Sequence, residues 1–141
     1  IGFDMNFLQQ WEQFYQKVDD VAITLKLYAI SGDKDQVKVG MPLHKAITQP
    51  AGMFSAPALF GLADITGTWL AMQHVPQGVF PLAVGSSINV VSNKKSGDAI
   101  ATAEIVRAGR TVIVTDTIIR SSEDDSILAK VVTTYTVPQG K

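Results

Sequence analysis

The chain has 141 residues and a formal net charge of −1, from 12 Lys and Arg against 13 Asp and Glu. This balance indicates neither nucleic acid nor an anionic membrane surface as a partner. The chain has no cysteine, which excludes a disulfide framework, a thiol nucleophile and thiolate metal ligands. Since there are only two histidines, a metal would depend on carboxylates, and we expect neither a metal nor a redox cofactor.

The first predicted element is an amphipathic helix over residues 5–20. Its apolar residues recur at helical spacing and are Phe7, Leu8, Trp11, Phe14, Tyr15 and Val18. Either Asp4 or Asn6 is suited to cap its start. We expect the large aromatic side chains to pack against the rest of the chain, with a ligand-binding role as the alternative.

The next segment, residues 21–43, predicts a β-hairpin with a polar turn at 31–36. The apolar residues alternate along both arms, as Ile23, Leu25 and Leu27 and then as Val37, Val39 and Met41. Residues 44–52 are typical of a loop, because Pro50 and Gly52 interrupt regular structure there.

A long apolar helix is predicted over residues 55–72. Ser55 is suited to the N-cap, and Pro57 to the first turn, where a missing N–H costs little. Gly61 and Gly67 lower helix propensity, but they also let another group approach the helix closely.

The remaining chain predicts four strands rich in Val, Ile and Thr. They cover residues 79–92, 99–109, 110–122 and 126–137. The short polar turns between the last three, and the turn at 93–98, imply antiparallel neighbours. The predicted fold class is therefore α+β: an N-terminal helix, a hairpin, one central helix, and a long antiparallel sheet curled around that helix.

The length is that of one domain, so we predict a single domain over 1–141, with the helix in 1–20 and the core in 21–141. No stretch reaches the ~18 unbroken apolar residues of a membrane span. The N-terminus lacks the basic start and apolar run of a signal peptide. We therefore expect a cytoplasmic protein with no membrane partner.

One acid, Asp64, stands within the apolar helix. A carboxylate is costly to bury without a partner, so its position needs an explanation. Gly61 and Thr68 fall on the same helix face and give Asp64 small, partly polar neighbours, as an approaching ligand would require. The alternative is a structural Asp that bonds to the backbone of a neighbouring subunit.

Three short motifs surround this acid in one register, and two further segments follow them. They are 49-QPAG-52, 55-SAP-57, 62-LAD-64, 86-SSINVVSNKKSGD-98 and 103-AEIVRAGR-110. Together they resemble the hotdog-fold acyl-CoA thioesterases, in the PaaI-like branch of the 4-hydroxybenzoyl-CoA thioesterase superfamily. In that branch Asn-x-x-Gly, His-Gly-Gly and Leu-Ala-Asp open and fill the central helix. The resemblance covers roughly residues 37–137, and the Leu-Ala-Asp match is its most specific part.

The resemblance implies a hotdog fold, in which a sheet wraps a long helix, and a homodimer whose sheets pair edge to edge. Active sites in that branch lie at the dimer interface, and pairs of dimers often form tetramers. The implied substrate is an acyl-CoA, and the reaction is hydrolysis of its thioester. CoA enters only as part of the substrate.

The same resemblance assigns three catalytic positions. Asp64 matches the carboxylate that acts as general base on water or as nucleophile at the thioester carbonyl. Gln49 matches an Asn whose amide helps to hold the carbonyl or the water. Ala56 stands at the first glycine of His-Gly-Gly, whose backbone N–H donates to the oxyanion. Ser55 and Pro57 depart from the family pattern, because they replace its histidine and second glycine.

Substrate contacts are implied for Ser55, Gly61 and Thr68 beside these groups. Lys94 and Arg110 lie in turns that the family uses for CoA, where cations can pair with phosphates. Solvated turns are the alternative for each of them, as for Lys95 and Arg107 in the same two turns.

Ala83 is a second departure, since many relatives carry Ser or Thr there to orient the attacking water. Ser86, Ser87 or Thr68 could supply a hydroxyl instead.

The first hypothesis is accordingly an acyl-CoA thioesterase. The departures at residues 55–57 and at Ala83 motivate an alternative, a non-catalytic hotdog domain that binds acyl-CoA or a related apolar ligand. A hotdog hydratase or dehydratase is the third possibility, but those relatives pair an acid with a histidine that is not placed for this role here. The acyl group and the choice between dimer and tetramer stay open.

Overall fold

A computed structural model describes residues 5–139. In chain order the elements are α1 (Phe7–Lys17), α2 (Val21–Thr24), β1 (Tyr28–Gly32), β2 (Gln36–Pro42), a 3₁₀ turn (Lys45–Ile47), α3 (Ala56–Met72), β3 (Leu82–Val90), β4 (Asp98–Ala108), β5 (Val112–Ser121) and β6 (Ile127–Thr136). Among residues 5–139, no helix has the length and apolar character needed to cross a membrane.

The six strands form one antiparallel sheet in the order β1-β2-β4-β5-β6-β3. Strands β1 and β3 are therefore its two edges. In β5 every second residue is buried, because one face of the sheet is covered by α3, which contacts β2, β4, β5 and β6. The predicted α+β architecture, with one central helix on an antiparallel sheet, is confirmed.

The central helix α3 is buried on most of its circumference. Leu59, Leu62 and Leu70 are fully inaccessible to solvent. The predicted start is confirmed: Ser55 is the N-cap and its side-chain oxygen accepts from the Ala58 N–H at 3.3 Å. This oxygen satisfies one of the N–H groups that a helix start leaves without an internal partner.

The predicted strand over the first arm of the hairpin is wrong at its start. Instead α2 forms there, because Asp20 accepts from the Ala22 N–H at 2.8 Å and caps one helical turn. The buried side chains are Ala22 and Leu25, three residues apart, which fits a helix rather than a strand. Lys26 then adopts a positive φ of 59°, and the strand begins only at Tyr28.

Helix α1 packs its aromatic side chains around Trp69 of α3, as predicted. Those in contact are Phe7, Trp11, Phe14 and Tyr15, with ring centroids 5.3–6.1 Å from that of Trp69. Asn6 caps the helix in a capping box with Gln9, while Asp4 lies outside the described residues. Leu8 is 49% exposed and is not one of the packing anchors.

The two glycines within α3 predict opposite effects of an added methyl group. A Cβ on Gly67 would lie 2.6 Å from the Tyr135 hydroxyl and 2.9 Å from Thr115 Oγ1, both on buried side chains. We expect Gly67→Ala to lower the free energy of unfolding by ~1–3 kcal/mol, as overpacking does. At Gly61 only the tip of Leu25 must move, so Gly61→Ala is the matched control and should gain up to ~1 kcal/mol of helix propensity. Urea unfolding of both variants measures this, and equal effects would contradict it.

Candidate functional site

The start of α3 presents backbone N–H groups beside a short hairpin. Thr48 and Phe54 form an isolated antiparallel bridge, so residues 48–54 turn back on themselves just before the helix cap. Ala56 is the first residue of α3, where N–H groups have no acceptor within the helix and the helix dipole is positive. Pro57 follows as the second helical residue. The arrangement offers the Ala56 N–H to an anionic or polarised oxygen.

Gln49 lies in this hairpin, half-buried. Its backbone N–H donates to the Met53 carbonyl at 2.8 Å, and its side-chain oxygen accepts from the Ala51 N–H. The side chain is thus folded onto its own loop through the oxygen. The side-chain N–H₂ group has no partner in this loop. It can donate a hydrogen bond to a ligand.

Asp64 occupies the third turn of α3 and is half-buried. Burial raises the pKa of its carboxyl group. Within residues 5–139 its carboxylate has no hydrogen-bond or ion-pair partner. A basic carboxylate that is shielded from water on one side and unpaired is suited to accept a proton.

The backbone beneath Asp64 is held by two hydroxyl groups. Thr68 donates to the Asp64 carbonyl oxygen at 2.7 Å, and Tyr135 of β6 donates to the same oxygen at 3.3 Å. Burial raises the pKa of Tyr135 to about 12, so this hydroxyl keeps its proton at neutral pH. The predicted substrate contact at Thr68 is accordingly limited to its oxygen, because its proton is engaged.

Gly61 and Ser55 also have partners within the chain. Leu25, the C-cap of α2, packs directly over Gly61, and the Ser55 oxygen is used in the cap of α3. Gly61, Asp64 and Thr68 form a partly exposed strip along α3, and Ser55 is half-buried at its end. Gly61 and Ser55 add no free polar group to this strip.

Lys94 and Arg110 lie far apart. They occupy the turns at opposite ends of β4, whose 11 residues span roughly 30 Å when extended. Lys94 forms an ion pair with Asp124 at 2.6 Å, which raises the pKa of Lys94, and Arg110 donates to the Gln139 side chain at 2.9 Å. One chain does not bring these two cations to a single phosphate group.

Two of the three hydroxyl groups that could replace the one missing at Ala83, those of Thr68 and Ser86, already form hydrogen bonds within the chain. Ala83 lies on β3 opposite Tyr135, beside a register shift that ends at Gly85. Ser86 shares a hydrogen bond with Thr133 at 2.8 Å.

Among residues 5–139, no group of three or more His, Cys, Asp or Glu side chains is arranged to hold a metal ion.

Two residues near the site were not predicted. Tyr135 supports Asp64, and Asn93 binds the hairpin through the backbone of Phe54. Tyr135 had a signal, because the alternation of β6 places it on the buried face, where a tyrosine hydroxyl needs a partner. Asn93 had none, since asparagine is common in any turn.

The similarity of this chain to known proteins is found by superposing structures and not by comparing sequences. No protein-family model and no curated protein sequence matches the chain. A thioesterase from Haemophilus influenzae superposes with a TM-score of 0.86 at 20% identity, over 94% of this chain and 90% of its own. The Escherichia coli PaaI protein from the phenylacetic acid degradation operon superposes with a TM-score of 0.82 at 20% identity, over 96% and 95%. Zebrafish thioesterase superfamily member 2 gives 0.84 at 18% identity, over 96% and 100%.

The chain therefore has the hotdog fold with an additional N-terminal helix, as the resemblance in sequence implied. Its structural neighbours include proteins named as thioesterases and PaaI itself. At these identities the likeness establishes the fold.

The raised pKa of Asp64 predicts a pH-dependent cost to stability. The folded protein holds this proton more tightly than the unfolded chain, so the cost is absent well below pH 3.8, grows above it, and is complete above the raised pKa. Asp64→Asn should therefore be more stable than wild type at pH 7.5, by up to about 1 kcal/mol because the group is partly solvated. The difference should shrink toward pH 4 in chemical unfolding. A destabilised Asn variant at pH 7.5 would instead reveal a stabilising partner of the carboxylate.

Proposed function

We propose that the chain is an acyl-CoA thioesterase whose site lies at a homodimer interface. The observation that carries the proposal is the half-buried Asp64 carboxylate, without a partner within residues 5–139 and with a raised pKa, on the central helix of a hotdog fold. The named thioesterases among the structural neighbours support the same chemistry.

In the proposed reaction Asp64 takes a proton from water while the water oxygen bonds to the thioester carbonyl carbon. The Ala56 N–H, at the positive end of α3, donates to the oxyanion that forms. The C–S bond then breaks, and the CoA sulfur leaves with the proton held by Asp64. In the related route Asp64 itself attacks the carbonyl carbon, the C–S bond breaks and the CoA thiolate leaves. Water then hydrolyses the resulting anhydride, which releases the acid, returns the Asp64 carboxylate and supplies the proton that the thiolate takes up. The Gln49 amide donates to the carbonyl or positions the water.

The proposed dimer forms through β3. This edge strand has nine residues, and its exposed apolar side chains include Leu82 at 55% and Val84 at 61%. Both edges carry a register shift, but the opposite edge, β1, has only five residues and is followed by a charged turn at 33–35. Short and charged edges resist pairing, whereas a long apolar edge favours it.

Antiparallel pairing of two β3 strands would also bring cations of the two chains to one end of the joint sheet. Because the strands run in opposite directions, Lys94 of one chain and Arg110 of the partner subunit lie at the same end. Phosphates of CoA could then meet a cation from each chain, which a single chain does not allow. The exposed strip of α3 around Asp64 would face the partner in the same assembly.

Hydrolysis of a series of aliphatic and aromatic acyl-CoAs tests the proposal. We expect turnover by wild type and at least a ~100-fold lower rate for Asp64→Asn, as for other positioned acid–base groups. The matched control is Asp116→Asn, because Asp116 lies on the sheet face away from α3 and pairs with Lys130. Acyl-CoA binding without hydrolysis by wild type would favour the non-catalytic binding domain, which the departures at 55–57 and Ala83 motivate. Neither binding nor hydrolysis would exclude both.

The dimer is tested by placing charges on the β3 edge. Val84→Lys combined with Val90→Lys adds like charges along the β3 edge of both subunits, so we expect a monomer by light scattering and a ~10-fold or greater loss of turnover. Ile30→Lys on β1 is the control, with a side chain that is also partly exposed, and it should remain dimeric. A monomeric wild type, or an active monomeric variant, would contradict the interface site.

A further inference from the structure

The hairpin that precedes α3 leaves two backbone groups pointing away from it. Around the Thr48–Phe54 bridge, the hydrogen bonds run from the Gln49 N–H to the Met53 carbonyl and from the Ser55 N–H to the Ile47 carbonyl, at 2.8 and 2.9 Å. The N–H and carbonyl of Phe54 form neither of these two hydrogen bonds. Its N–H and carbonyl therefore face outward, as they would toward a further strand.

No strand lies there, and the side-chain amide of Asn93 takes its place. The Asn93 oxygen accepts from the Phe54 N–H at 3.1 Å, and its nitrogen donates to the Phe54 carbonyl at 2.8 Å. The same oxygen accepts from the Lys94 N–H at 2.9 Å, which fixes the side chain on its own turn. Phe54 is 1% exposed, so water does not readily replace these bonds.

We propose that Asn93 is a positioning residue for the site, acting through Phe54 on the two groups that flank it. Gln49 lies across the hairpin from Phe54, and the Ala56 N–H follows it by two residues. By holding Phe54 to the turn after β3, Asn93 sets where the Gln49 amide and the Ala56 N–H stand relative to Asp64. The inference rests on the thioesterase proposal, because it assigns these groups a role in one reaction.

Only a short amide meets both requirements. An Asp at this position accepts from the two N–H groups but cannot donate to the Phe54 carbonyl, and it sets a negative charge against that oxygen. An Ala makes neither bond and leaves the N–H and carbonyl of a buried residue without partners. Asn93→Asp thus removes one of the two hydrogen bonds with Phe54, and Asn93→Ala removes both.

Ser96 provides a matched control in the same turn. Its hydroxyl donates to Glu123 at 2.9 Å, so it joins this turn to the turn between β5 and β6 and not to the hairpin. Ser96→Ala therefore removes one more exposed hydrogen bond of the same turn without touching the site.

The experiment combines kinetics with hydrogen exchange of the amides in residues 48–56, on wild type, Asn93→Ala, Asn93→Asp and Ser96→Ala. We expect Asn93→Ala to lower kcat by ~10–100-fold, since a misplacement of about 1 Å costs this much. KM should change less than ~3-fold, since the acyl-CoA contacts stay in place. Exchange at Phe54 should accelerate most in Asn93→Ala and less in Asn93→Asp, where the carboxylate still accepts from the Phe54 N–H but repels the Phe54 carbonyl. Asn93→Asp should also be the milder in kcat, and Ser96→Ala should match wild type.

Three results would overturn the inference. They are unchanged exchange at Phe54 in both Asn93 variants, faster exchange with kcat within ~2-fold of wild type, and an equal loss of kcat in Ser96→Ala. If Asn93→Ala does not fold, Asn93→Asp provides the same comparison. If wild type hydrolyses no acyl-CoA, the thioesterase proposal fails and the positioning role fails with it. Accelerated exchange at Phe54 would then show that the contact between Asn93 and Phe54 has a structural role only.

Discussion

The burial of α3 is the constraint on which the rest of the structure depends. A 17-residue helix with a mostly apolar surface is stable only if nearly all of that surface is covered. The sheet covers one side, and the aromatic residues of α1 cover another around Trp69. One strip stays partly open, and it contains Asp64. The position of the carboxylate is thus set by where the chain's own cover ends, which is where the proposed partner chain or substrate would supply the remainder.

Polar groups near this strip are satisfied by side chains that reach the backbone, rather than by extra strands. Thr68 and Tyr135 hold the carbonyl of Asp64, and Asn93 holds both groups of Phe54. The Tyr135 and Asn93 contacts fix a segment of main chain from outside its own element, whereas Thr68 acts within α3. The result is an aspartate whose backbone carbonyl is held by two hydroxyl groups, while its carboxylate has no partner within residues 5–139.

Most of the fold was predictable, because its local signals agree with its packing. Ser55 and Pro57 mark the start of α3, and the Val, Ile and Thr runs mark β3 to β6. The failure before β1 arose because Leu25 fits both a two-residue alternation and a three-residue spacing from Ala22, and only the contact with α3 decides between them. Contacts distant in sequence, such as Asn93 with Phe54, leave no local pattern. The separation of the cations likewise required knowing which end of the sheet each turn occupies.

The aromatic cluster on α1 has an optical consequence. The chain has two tryptophans, and both belong to this cluster, with Trp11 on α1 and Trp69 on α3 and their ring centroids 5.3 Å apart. Trp69 is buried, and its indole N–H donates to the Tyr15 hydroxyl at 3.2 Å. Tryptophan fluorescence of this protein, excited selectively, therefore reports on the docking of the N-terminal helix on the central helix.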